Sequence, residues 1–180
     1  MVWTCICIEM RFKQVLGVWR PQDLSPQVQP IITTPGHGSF PMGHSAQSFV
    51  IAETLKRLLE LDPSDVLVQQ LDRQAHRIGV NRVVAGVHFP VDLIAGQVLG
   101  MALAEFAQAC ATDFSTAQMQ WHFSEIAYRS LWTGSLSPWL GSDLKSFQSG
   151  QIRLQSSPSR FPVWGLLWQA AQAEWAYRHV

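Results

Sequence analysis

The placement of proline constrains this chain more than any other feature. Proline lacks a backbone N–H and biases the residue before it away from the α region, so helices start at prolines and rarely run through them. Arg20-Pro21, Asp62-Pro63 and Phe89-Pro90 are therefore breaks between elements. Residues from Arg11 to Trp19 read as the end of a helix stopped at Arg20-Pro21. Pro21 to Pro41 holds five prolines and two glycines among few large apolar side chains, a loop long enough to suggest function. Ala46 to Leu61 places Phe49, Val50, Leu55, Leu58 and Leu59 at three-to-four spacing, predicting an amphipathic helix with Glu53, Lys56 and Arg57 outward. A second helix is expected from Pro63, with Val66, Leu67, Leu71, Ala75 and Ile78 inward and Gly79 loosening or ending it. A third runs from Pro90 to about Ala111, where Gly96 and Gly100 leave room for another helix to approach closely.

After Thr112 the chain becomes rich in tryptophan, with Trp121, Trp132, Trp139, Trp164, Trp168 and Trp175. A helix around Phe114 to Leu131, an irregular stretch from Thr133 to Pro162 and a closing helix from Val163 to about Tyr177 are expected. The tryptophans read as packing anchors, because large aromatics dominate core burial. The fold class is all-α.

With 180 residues and 47% hydrophobic content, the chain can bury one substantial core. Thirteen basic residues balance thirteen acidic ones, so no global field draws it to nucleic acid or anionic lipid, and any anion site must be built locally. Ten of the thirteen basic residues are Arg, the side chain better suited to bidentate phosphate contacts. Cys5, Cys7 and Cys110 make an odd count without zinc spacing, so buried free thiols are expected. Met1 to Met10 lacks a basic start and a long apolar run, so no signal peptide is read there. The longest apolar stretch, Leu93 to Ala104, falls short of the ~20 residues of a membrane span. A soluble protein without a membrane span, in a compartment the sequence leaves unknown, is the expectation.

Three islands carry chemistry. In the first, Lys13 and Arg20 stand seven residues apart, which on a continuous helix returns both cations to one face. In the second, Gly38 to Ser48, Gly43 and His44 sit just ahead of a predicted helix, whose unpaired N–H groups favour an anion. His44 there can donate a proton to a leaving group. In the third, Asn81 to Asp92, Asp92 can reach back to His88 if Pro90 opens the helix, orienting one ring nitrogen and freeing the other as nucleophile or ligand. Taken singly, each island also reads blandly, as a solvated basic stripe, a capping loop and a surface histidine with an i,i+4 partner.

Taken in order, the islands resemble the three-part signature of the phosphatidic acid phosphatase type 2 (PAP2) and vanadium haloperoxidase superfamily: K-x6-R-P, P-S-G-H and S-R-x5-H-x3-D. Lys13, Arg20, Pro21, Pro41, Gly43, His44, Arg82, His88 and Asp92 fall on it. The resemblance covers roughly Lys13 to Ala111. It implies a helical bundle of that type over residues 1–112, with a tryptophan-rich helical segment, 113–180, packing on it or on a partner. Family members usually carry further helices upstream, so a shortened bundle is expected, and with it apolar surface that self-association would cover.

For the site, the resemblance implies that Lys13, Arg20, Arg82 and the Gly43 N–H bind the oxygens of a phosphate. His88, oriented by Asp92, takes the phosphoryl group, His44 protonates the leaving alcohol, and water hydrolyses the phosphohistidine. The substrate is then a small phosphomonoester and no cofactor is needed. In the haloperoxidase branch the same residues hold vanadate, with His88 its one protein ligand, and peroxide oxidises halide. A non-catalytic oxyanion-binding protein is the third alternative. Two positions depart from the signature. Met42 replaces Ser, which predicts a thioether at the pocket mouth and the loss of a hydroxyl donor, a defect of ~2.7–4 kcal/mol in transition-state stabilisation. Ser39 and Ser45 are candidate substitutes. Asn81 replaces Ser before Arg82, a milder change. His37, in the loop before Pro41, is a candidate accessory residue because bromoperoxidases of the family also place a histidine there.

Overall fold

The computed structural model describes residues 1–112, 118–123, 147–152 and 162–178. Its elements are α1 (Val2–Leu16), α2 (Pro21–Leu24), α3 (Gly43–Leu58), α4 (Val66–Val84), α5 (Pro90–Ala111), β1 (Gln118–Trp121), β2 (Gln148–Ile152) and α6 (Pro162–Arg178). The fold is all-α in character, with one antiparallel ribbon in which Gln118 faces Ile152 and Trp121 faces Gln148. That ribbon corrects two expectations. β1 stands inside the stretch expected to be helical from Phe114 to Leu131, and β2 inside the stretch expected to be irregular from Thr133 to Pro162; the rest of both stretches lies outside the described residues.

The proline breaks hold, with local chemistry adjusting the ends. α1 stops at Leu16, before Arg20-Pro21, because Gly17 adopts the left-handed conformation (φ 56, ψ 29) and returns its N–H to Lys13 O at 3.1 Å. α4 starts at Val66 rather than Pro63, since Asp65 caps it by accepting the Leu67 N–H at 2.7 Å. Its start is solvent-facing, so Val66 and Leu67 are exposed instead of lining the inner stripe. Gly79 neither loosens nor ends α4. A Cβ there would come within 3.1 Å of Leu93 Cδ1, so this glycine lets α5 pack close.

The core lies between α3 and α5, and the two α5 glycines set its thickness. A Cβ on Gly96 would collide with Met42 O and stand 2.8 Å from Ser45 Cβ; one on Gly100 would stand 2.6 Å from Ala46 O and 2.9 Å from Val50 N. Most of these obstacles are backbone, which cannot rotate aside. Gly100→Ala is therefore expected to lower stability by about 1–3 kcal/mol through overpacking, although alanine is the better helix former by about 1 kcal/mol. Thermal denaturation checks this, and an unchanged melting temperature would mean that the α3–α5 contact opens freely.

Met42, Leu93, Ile94, Val98 and Phe147 form one apolar cluster, and Cys5, Ala46, Val50, Leu103 and Ala104 a second. Three of the tryptophans after Thr112 pack on the bundle: Trp168 is buried, Trp164 Nε1 donates to Ala107 O at 2.9 Å, and Trp121 Nε1 donates to Glu105 Oε2 at 2.8 Å. Cys5 is a buried thiol, but Cys7 is exposed. α5 has 22 residues with mean hydropathy 1.4 over its most apolar window, of which 67% is buried inside the fold. By length and composition it is long enough to cross a membrane, so the shorter apolar run read from the sequence understated it.

Candidate active site

Pro21, which belongs to the signature, and Pro90, which does not, do the same local work at two helix starts. In Arg20-Pro21-Gln22-Asp23 and again in Phe89-Pro90-Val91-Asp92, proline takes the first helical position and an aspartate two residues later accepts the N–H of the residue before the proline. The Arg20 N–H lies 2.9 Å from Asp23 Oδ2, and the Phe89 N–H 2.9 Å from Asp92 Oδ2. The second turn thereby fixes Asp92 where His88, just upstream, can meet it. His88 Nδ1 is 3.1 Å from Asp92 Oδ2. Ser39 completes this group, its hydroxyl donating a short hydrogen bond to Asp92 Oδ2 and lying 3.3 Å from His88 Nδ1. Asp92 is wholly buried and His88 5% exposed.

The other ring nitrogen defines the tautomer. Arg20 NH1 lies 3.4 Å from His88 Nε2. A guanidinium has only donors, so Nε2 must present its lone pair and Nδ1 must carry the proton given to Asp92. Burial, first, then the charges of Lys13 and Arg20 hold the imidazole below its ordinary 6.5, against Asp92, which raises it. The ring is therefore neutral with Nε2 unprotonated on the side of Arg20, which is the protonation state a nucleophile or ligand needs.

Contrary to what their spacing predicted, Lys13 and Arg20 do not share a helix face. α1 ends between them, and Arg20 stands in extended backbone ahead of α2. They meet through the loop instead. Lys13 Nζ donates to Gly38 O at 3.1 Å and Ser39 O at 3.0 Å, while Arg20 NH2 reaches Gly38 O at 3.4 Å. Arg20 also donates to Val87 O at 2.8 Å and His37 O at 3.0 Å. Both cations are 2% exposed. Burial and then Arg20 push the Lys13 ammonium down to about 8, with Glu9 and Asp92 opposing.

Gly43 and His44 lie within α3 rather than ahead of it, as its first two residues. No side chain caps that start, so first-turn N–H groups of α3 remain available beside His44. His44 is exposed at the rim. The protein around its ring desolvates it, and Arg82, His88, Lys13 and Arg20 add to this, together holding it below 6.5. Arg82, in the last turn of α4, is half-buried with an Nε that has no hydrogen-bond partner among the described residues. An unpaired buried guanidinium N–H beside a histidine is a donor waiting for an acceptor.

The accessory candidates separate. Ser45 donates to Leu93 O at 2.8 Å and Ser39 to Asp92, so neither hydroxyl takes the place of the missing signature serine. His37 does reach the site, with Nδ1 3.3 Å from Arg20 NH2. Met42 does not face a pocket mouth. Its side chain is fully buried in the apolar cluster with Leu93, Ile94, Val98 and Phe147, while its N–H donates to Asp92 O at 2.9 Å. Reading the signature alone missed Glu9, a carboxylate 4% exposed on α1, although its position four residues before Lys13 was a helical-spacing signal.

Residues 1–115 of the 180 match the profile of the PAP2 superfamily, and the chain belongs to that superfamily. Membership supports a phosphatase-like function in general. A search of curated proteins gave no match.

Proposed function

We propose that the protein is a phosphatase that hydrolyses phosphomonoesters through a phosphohistidine on His88. The observation that carries this reading is the His88 ring itself, held at Nδ1 by Asp92 and presenting its Nε2 lone pair to Arg20. A phosphate placed against Nε2 lies among Arg20, Arg82 and the third proton of Lys13, whose positive charges offset the negative charge on the transferring oxygens. In the first step the Nε2–P bond forms and the P–O bond to the alcohol breaks, with His44 giving that oxygen its proton. In the second, water attacks phosphorus, the N–P bond breaks, and His44 takes the proton of the water.

Release of inorganic phosphate from p-nitrophenyl phosphate, without added vanadate or peroxide, tests the reading; no turnover over a range of pH sinks it. The pH profile is a second check. His88 must be neutral to attack, and its ring is held below 6.5, so kcat/KM is expected to rise with pH on the acid side of 6.5. It is expected to fall as pH passes about 8, where Lys13 loses its charge. An alkyl phosphate, whose leaving alkoxide needs a proton, adds the His44 requirement. Because His44 is also held below 6.5, its profile should begin to fall at lower pH than that of the nitrophenyl ester. Identical profiles for the two esters would remove His44 as the acid.

One observation favours a second reading, a vanadium haloperoxidase: His37 Nδ1 lies 3.3 Å from Arg20 NH2. The residues fit vanadate, which His88 Nε2 would hold with Arg20, Arg82 and Lys13 on its oxygens, the unpaired Arg82 Nε among the donors. Bound vanadate supplies the activation of peroxide for halide oxidation. Halogenation of monochlorodimedone that requires vanadate and peroxide would place this reading first.

A further inference from the structure

α1 carries two buried charges one helical turn apart, Glu9 at 4% exposure and Lys13 at 2%. A buried carboxylate is costly unless it is paired. Glu9 Oε1 accepts from Gln47 Nε2 of α3 at 3.0 Å, and Oε2 faces the Cys5 thiol at 4.0 Å. A Cβ on Gly43 would collide with Oε1 and stand 2.8 Å from Cδ, so the carboxylate lies against the first residue of α3, next to the one that carries His44. None of these neighbours is positively charged. Lys13, for its part, donates to two neutral carbonyls.

The charges felt around Lys13 are uneven. Arg20 disfavours a further positive charge beside it, whereas His37, His44 and the His88 ring, all held below 6.5, are neutral where Lys13 titrates. Two carboxylates favour it, Glu9 on α1 and Asp92 on α5. Asp92 Oδ2 is already shared among Ser39, His88 and the Phe89 N–H. Glu9 has no such commitment to the reacting groups.

We propose that Glu9 is a positioning residue of the oxyanion site, the buried counter-charge that keeps the Lys13 ammonium protonated where it fastens the loop bearing Ser39. Among the groups that raise the proton affinity of Lys13, Glu9 acts most strongly; burial holds the Glu9 carboxyl above its ordinary range, with Gln47 and then Lys13 opposing. Gln47 favours the ionised form of Glu9 through its amide N–H. The inference rests on the phosphatase reading for its consequence, which is that anion binding persists to higher pH than it would without Glu9.

The chain has only Lys13, Lys56 and Lys145, so carbon-13 labelling of lysine resolves Lys13 by NMR, with Lys13→Met identifying its signal. In the wild type its titration midpoint is expected at about 8. In Glu9→Gln the midpoint is expected to move to clearly lower pH, and the alkaline limb of kcat/KM with it. An unmoved midpoint overturns the proposal, and leaves Glu9 a structural residue only. Inorganic phosphate added to the wild type is expected to raise the midpoint; if it does not, the phosphatase reading fails independently of the Glu9 result. Should Glu9→Gln not fold, Gln47→Leu withdraws the hydrogen bond that keeps Glu9 ionised, predicting the same downward movement, and an unmoved midpoint there overturns the proposal equally.

Discussion

His88→Ala is expected to lower kcat for p-nitrophenyl phosphate by at least about 10⁴-fold, the scale on which loss of a covalent nucleophile acts. Inorganic phosphate should still bind with an affinity within about threefold of wild type, because Lys13, Arg20, Arg82 and the first turn of α3 are untouched; the same retained charge argues that folding survives. Arg82→Ala should divide the effects the other way. It removes a guanidinium whose buried Nε has no competing partner among the described residues, so phosphate binding weakens along with turnover. Rapid-quench capture of an acid-labile phosphoenzyme provides the direct readout for His88. A His88→Ala enzyme that keeps turnover within tenfold of wild type would end the phosphohistidine mechanism, and loss of phosphate binding in that variant would show that His88 serves the cradle rather than the chemistry.

Much of this site was legible because its geometry is local. His88 and Asp92 are four residues apart across a proline-started helix, and a proline at the first helical position places the aspartate where it must accept the Phe89 N–H and meet His88. The α3–α5 contact was legible for the same kind of reason, since Gly96 and Gly100 recur at helical spacing. Lys13 and Arg20 show the limit. Their residue types were readable, but their arrangement was not, because a single left-handed glycine at position 17 ends the helix between them. What joins the two cations is one loop carbonyl, that of Gly38, and a carbonyl has no sequence signature. The ribbon of β1 and β2 was hidden likewise: it is a pairing of residues about thirty apart, whereas periodicity reports only one element at a time.

The departure at Met42 has a different physical meaning from the one its place in the signature suggests. A serine at the position before α3 would be a helix cap, its oxygen accepting a first-turn N–H. In this chain the backbone there keeps its extended form (φ −71, ψ 116), while the side chain turns inward and fills space among Leu93, Ile94, Val98 and Phe147. Met42→Ser is therefore expected to destabilise the protein, not restore it. Truncating a fully buried methionine costs about 2–5 kcal/mol in lost burial and cavity, and a serine cap returns about 0.5–2 kcal/mol. The net expectation is a loss of about 2–3 kcal/mol, read as a lower melting temperature and a lower urea midpoint with unchanged slope. Activity per folded molecule is expected not to rise, because a capping serine occupies one of the N–H groups otherwise open to the oxyanion. A variant that is both as stable as wild type and several-fold more active would show that the hydroxyl faces the site and that the apolar cluster closes without the thioether.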